Sequence, residues 1–108
     1  MKTYRVKYIA DAELDLREII HYIARHDSLE HAHYVLEHIE QACERLKRFP
    51  ERGHIPFELR ELGLGQYREV FFKPYRIIYQ VIGKEVYIHG ILDGRRELQT
   101  LLQQRLMR

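Results

Sequence analysis

Residues 74–98, PYRIIYQVIGKEVYIHGILDGRREL, constrain the fold most, because they read as a tight β-hairpin whose second strand runs directly into paired arginines. Residues 75–81 and 85–92 are rich in β-branched and aromatic side chains. The link Ile82-Gly83-Lys84 places a glycine where a short turn needs positive φ. Gly94 then frees the backbone ahead of Arg95 and Arg96. Such a hairpin cannot bury its apolar face alone, so the rest of the chain must cover it, and its far end directs positive charge off a rigid sheet.

A chain of 108 residues suits a single domain over residues 1–108, in which folding buries about 65% of the surface the unfolded chain exposes. It leaves no room for a cofactor domain beside a catalytic one. With 45% hydrophobic and 31% charged residues, and neither repeats nor low-complexity tracts, the composition is that of an ordinary soluble protein. No signal-peptide h-region opens the chain, and no apolar run reaches the roughly 18 residues of a membrane span. The single cysteine, Cys43, falls on the apolar face of an expected helix and reads as a buried structural thiol rather than a nucleophile. These features lead us to expect a cytoplasmic protein that does not meet the membrane. Charge divides unevenly: residues 1–65 carry 10 Lys and Arg against 12 Asp and Glu, and residues 66–108 carry 8 against 4. The C-terminal part is therefore the expected surface for an anionic partner, with a solvated basic face as the plainer reading.

Residues 3–9 alternate as a half-buried strand, with Tyr4, Val6 and Tyr8 on one side and Arg5 and Lys7 on the other. Asp11 is positioned to cap a helix striped with Ala12, Leu16, Ile19, Ile20 and Ile23. A second helix opens at Asp27-Ser28, where Asp27 and Glu30 have capping-box spacing. It keeps helical period through Ala32, Val35, Leu36, Ile39, Ala42, Cys43, Leu46 and Phe49, until Pro50 stops it. The short link makes the two helices an antiparallel hairpin. Residues 50–65, with two prolines and three glycines, read as irregular. A strand over 67–72, the 75–92 hairpin and a helix over 96–106 complete a β-α-α-β-β-β-α order. The expected fold is α+β: a twisted antiparallel sheet with the helical hairpin on one face. The other face is expected to be open and ringed by Arg68, Lys73, Arg76 and Arg96, a natural binding surface.

Several segments in this order carry a family resemblance: the strand into Asp11-Ala12-Glu13, RFPERG at 48–53, YR at 67–68, PYRIIYQV at 74–81 and GRREL at 94–98. Spread over nearly the whole chain, they resemble the RelE/ParE-superfamily toxins of bacterial type II toxin–antitoxin systems. The long helical hairpin and the FPERG segment look more like the ParE branch than the RelE branch. The resemblance implies growth inhibition and plasmid stabilisation. It also implies a cognate antitoxin held in a hetero-oligomer, and a target that is DNA gyrase for ParE-like toxins or messenger RNA in the ribosome for RelE-like ones.

Ribosome-dependent RNA cleavage needs an acid/base group beside cations that steady the phosphate. Arg76 and Arg96 fall where RelE-like enzymes keep phosphate-contacting arginines, and a planar guanidinium suits that contact. The C-terminal tyrosine of those nucleases would fall near Leu102, yet no tyrosine follows Tyr87. Position 93, where many relatives carry histidine, is Asp93, a carboxylate that pairs with arginine and repels phosphate. His89 substitutes only if it faces the open side of the sheet. Alternatively, Arg76 and Arg96 anchor the last helix through Asp93, Glu97 or backbone carbonyls, and Arg68, Lys73 and Arg95 are solubilising charge. Seven histidines lack metal-ligand spacing, so no metal or other cofactor is expected. The leading expectation is a ParE-like toxin that inhibits gyrase by binding, with Arg68, Lys73, Arg76, Arg95 and Arg96 as target contacts. The alternatives are a ribosome-dependent mRNA endonuclease using Arg76, Arg96 and His89, and a non-toxic antitoxin-binding module.

Overall fold

A computed structural model describes residues 3–95 and 98–106. In chain order it contains β1 (Arg5–Tyr8), α1 (Ala10–His26), α2 (Leu29–Glu44), a 3-10 turn (Arg45–Lys47), α3 (Phe57–Arg60), β2 (Tyr67–Phe72), β3 (Tyr75–Ile82), β4 (Glu85–Asp93) and α4 (Gln99–Leu106). The sheet order is β1-β4-β3-β2. β2, β3 and β4 form the expected antiparallel meander, but β1 lies parallel to β4, so the sheet is mixed rather than wholly antiparallel. Alternation in a sequence assigns the faces of a strand, not its direction, and the long connection from β1 to β4 permits parallel pairing. The hairpin turn holds Gly83 at φ 62°, as its sequence requires. Gly94 has a different reason from the expected backbone freedom. Its N–H donates to the Pro74 carbonyl at 2.7 Å, and a Cβ there would lie 2.9 Å from that oxygen and 3.0 Å from Cδ of Arg76.

The helical hairpin covers one sheet face. Ala12 and Ile23 of α1, with Ala32, Val35, Ile39, Ala42 and Cys43 of α2, pack with Leu46 against Ile77, Tyr79, Val86, Ile88 and Ile91. Burying such aliphatic side chains stabilises the fold by roughly 1.5–3 kcal/mol each. Cys43 is buried as expected, and burial raises its pKa to about 11, so the thiol is protonated and inert at neutral pH. Three local expectations change. α1 begins after Ile9 with no side-chain cap, and Asp11 sits within its first turn. Ser28 rather than Asp27 caps α2, accepting from the His31 N–H at 3.0 Å, while Asp27 pairs with the His31 ring at 2.6 Å. Phe49 leaves the helical stripe after the 3-10 turn and is 57% exposed.

The second sheet face is closed, against expectation. α3, a helical turn inside the segment read as irregular, brings Leu59 onto this face, and α4 brings Leu102, with Leu98 just ahead of it. Together they pack with Tyr67, Ile78 and Leu92 in a second buried cluster. α4 is also pinned laterally: Arg105 Nη1 donates to Asp15 Oδ2 at 2.6 Å. The same oxygen accepts the Ile91 N–H at 3.0 Å, a β4 edge group that lies past the end of the short β1. This accounts for a strand donor that the ladder leaves over. Because Leu102 is fully buried, Leu102→Ala is expected to cost about 2–5 kcal/mol in urea denaturation. A cost near zero would mean that the face is open after all.

Candidate target-binding surface

The guanidinium of Arg76, the residue expected to face a target, is instead enclosed. On β3 it shares the second face with Glu69 of β2, two residues from its directly paired Phe71. Its Nε donates to Glu69 Oε1 at 2.6 Å and its Nη2 to Oε2 at 3.0 Å. Glu58 of α3 closes the other edge, accepting from Nη1 at 2.7 Å and Nη2 at 2.8 Å. Glu69 is 2% exposed, and a carboxylate so placed needs a fixed counter-charge. The Glu58 bonds, ahead of those from Glu69, push the Arg76 pKa further up, and Arg76 in turn holds the Glu58 carboxyl below its usual range. Arg76 therefore anchors internal structure, as one sequence reading allowed, with Glu58 and Glu69 as its partners among the described residues.

The remaining expected site residues separate. Arg68 lies on the opposite sheet face and donates to the Gly53 carbonyl at 2.7 Å and that of Glu51 at 3.3 Å, fastening the chain after α2. His89 lies on the second face, 3.2 Å from Gln80 Oε1 and edge-on to Tyr67 with ring centres 5.2 Å apart. Burial lowers its pKa, so it is neutral at pH 7, and no contact joins it to Arg76 among the described residues. Arg96 falls outside the described residues, as does Glu97. Lys73 and Arg95 come together, since the Gly94–Pro74 hydrogen bond packs the β2–β3 turn against the end of β4. Asp93 accepts from Arg95 Nε at 2.9 Å and Nη2 at 2.6 Å. The carboxylate at position 93 thus pairs with an arginine.

Lys73 and Arg95 border a cleft of about 860 Å³ between the tip of the helical hairpin and the end of the sheet. Sequence reasoning missed its opposite wall. Tyr22 and Tyr34 there are 65% and 52% exposed, and Tyr34 leans on Phe72 at 6.0 Å between ring centres. The available signal was two aromatics placed beside, rather than within, the apolar stripes of α1 and α2. Open aromatics opposite mixed charge suit a peptide with apolar anchors. Arg76, the strand arginine expected to serve RNA cleavage, is neutralised by Glu58 and Glu69, and His89 makes no contact with it among the described residues.

The family model describing the ParE toxin of the type II toxin–antitoxin system parDE matches residues 6–98. Toxin ParE3 of Caulobacter vibrioides is 33% identical over 88 residues, which cover 82% of this chain and 84% of that protein. Two solved structures share the fold at 21% identity. A chain of the chromosomal ParDE system from P. aeruginosa superposes with TM-score 0.68, covering 82% of this chain and 94% of that one. A chain of the RelBE2 toxin–antitoxin complex from Mycobacterium tuberculosis gives 0.64, covering 86% and 93%. These likenesses define the class as a RelE/ParE-superfamily toxin. Within it, the chain belongs to the ParE toxin family of type II toxin–antitoxin systems.

The Glu58–Arg76 pair makes a signed prediction. A carboxylate whose folded pKa is lowered adds stability above its unfolded value of about 4.3, and this is lost as pH falls through the folded value. Glu58→Gln is expected to cost about 1–3 kcal/mol at pH 7. The gap from the unsubstituted chain in denaturant melts should narrow below about pH 4. A gap independent of pH would contradict the ion pair.

Proposed function

We propose that this ParE-family toxin inhibits DNA gyrase by binding it, and that a cognate antitoxin neutralises it by laying an apolar segment into the 860 Å³ cleft. The observation that carries the reading is the enclosure of Arg76 by the Glu58 and Glu69 carboxylates, which neutralise its guanidinium, while His89 makes no contact with it among the described residues. A binder needs exposed anchors instead, and Tyr22, Tyr34, Lys73 and Arg95 supply them along one cleft. The antitoxin partner is further supported by the toxin–antitoxin systems to which the two structural neighbours belong. Lys73 and Arg95 are the proposed target contacts, whereas Arg76 and Arg68 act by holding structure.

Expression without antitoxin tests this. DNA breaks and an SOS response are expected, while codon-aligned mRNA cleavage without DNA damage would reject the reading in favour of a ribosomal nuclease. Unimpaired growth would reject it in favour of a non-toxic module. A Lys73→Glu/Arg95→Glu variant is expected to bind gyrase at least about tenfold more weakly with its fold intact. Unchanged binding would remove these residues from the interface.

A further inference from the structure

Among the described residues, a group of arginines without carboxylate partners lies in the half of the chain whose net charge is negative. The last residue of α2 and the chain after it read ERLKRFPERGH, residues 44–54, and Arg45, Arg48 and Arg52 are all exposed. None of these guanidiniums has a carboxylate partner among the described residues. Lys47 is neutralised by Glu44 at 2.5 Å, which leaves Glu51 as the carboxylate without an ion-pair partner in this stretch. Arg45 lines two adjoining clefts: one of about 580 Å³ with Arg48, Phe49 and the Lys47-paired Glu44, the other of about 240 Å³ with Arg52, His54 and the Arg76-paired Glu69. The patch is therefore continuous. Cations at a helix C-terminus complement its dipole, which accounts for Arg45, but that effect fades within the last turn. Arg52 lies past Pro50, outside any helix, so the dipole does not explain it. Nor does burial explain Phe49, which is 57% exposed between the arginines.

We propose that this surface binds single-stranded nucleic acid, its arginines gripping successive phosphates and Phe49 stacking on a base. Guanidinium forks match phosphate oxygens in pairs, and an aromatic face set among cations is how sequence-tolerant single-strand grooves are built. An acidic peptide would use the charge but gain little from an open phenyl ring, and duplex DNA keeps its bases out of the ring's reach. The surface lies apart from the cleft bordered by Lys73 and Arg95, sharing no lining residue with it. It therefore stands whether or not gyrase is the target.

Fluorescence anisotropy on the purified full chain tests it, with labelled oligothymidylate and an oligoribonucleotide of the same sequence pattern, each of about 20 nucleotides. The matching duplex and a polyglutamate peptide serve as competitors. Binding to the single strands is expected, with a slope of log affinity against log salt near −2, the value for about three neutralised phosphates. Arg48→Gln/Arg52→Gln should lose at least about tenfold and flatten that slope, and Lys84→Gln, on the distal hairpin turn, should change neither. Phe49→Ala should weaken single-strand binding about tenfold while leaving duplex binding unchanged. Circular dichroism checks the fold of each variant. Absence of binding at low salt, tighter binding of duplex or polyglutamate, or variants that bind like the unsubstituted chain would each overturn the proposal. A preference between the DNA and RNA strands identifies the source of the ligand and supports the shared phosphate chemistry either way.

Discussion

Arg76 sits between two carboxylates, and much of the second sheet face follows from that arrangement. A buried Glu69 without a counter-ion would be costly, so the pair on β2 and β3 must be complete before this face can close. Glu58 then adds a second fork to the same guanidinium and brings α3 down onto the sheet. Once α3 is seated, Leu59 helps form the apolar floor on which Leu98 and Leu102 pack. Breaking this clamp is therefore expected to loosen the 54–64 connection and α4 together, while leaving the core under the helical hairpin intact.

The same clamp determines what kind of surface the molecule presents. The Arg76 cation is neutralised from within, and His89, which makes no contact with it among the described residues, has its pKa lowered by burial. Asp93 likewise takes up much of Arg95. What stays accessible includes aromatic surface at the mouth of the helical hairpin and, just after α2, arginines without a carboxylate partner among the described residues. Both suit the recognition of a partner proposed above.

Much of the fold was readable from residue pattern alone. The periodicities of α1 and α2, the Gly83 turn and the meander over 67–92 each follow from local chemistry that no tertiary contact overrides. The direction of β1 was not readable, since alternation is the same for parallel and antiparallel pairing. α3 was hidden because four residues between a proline and two glycines carry too little periodicity to register as a helix. That omission made the second face look open, and so made Arg76 look available. The choice between Asp27 and Ser28 as cap turned on one residue of register, below what sequence spacing resolves. Arg68 and His89 were placed on the correct strands, but their partners, the Gly53 carbonyl and Gln80, lie 15 and 9 residues away. Only the folded chain pairs them.

The closed second face depends on Arg76 being an internal counter-ion rather than a contact held out for a target. A double-mutant cycle between Arg76→Met and Glu69→Gln, read by denaturant unfolding at neutral pH, measures this directly. Each single substitution is expected to cost about 3–5 kcal/mol, with a coupling energy of about 1.5 kcal/mol or more between them. Costs that add to within about 0.5 kcal/mol would show that the two side chains act independently, and would return Arg76 to the surface as a candidate contact.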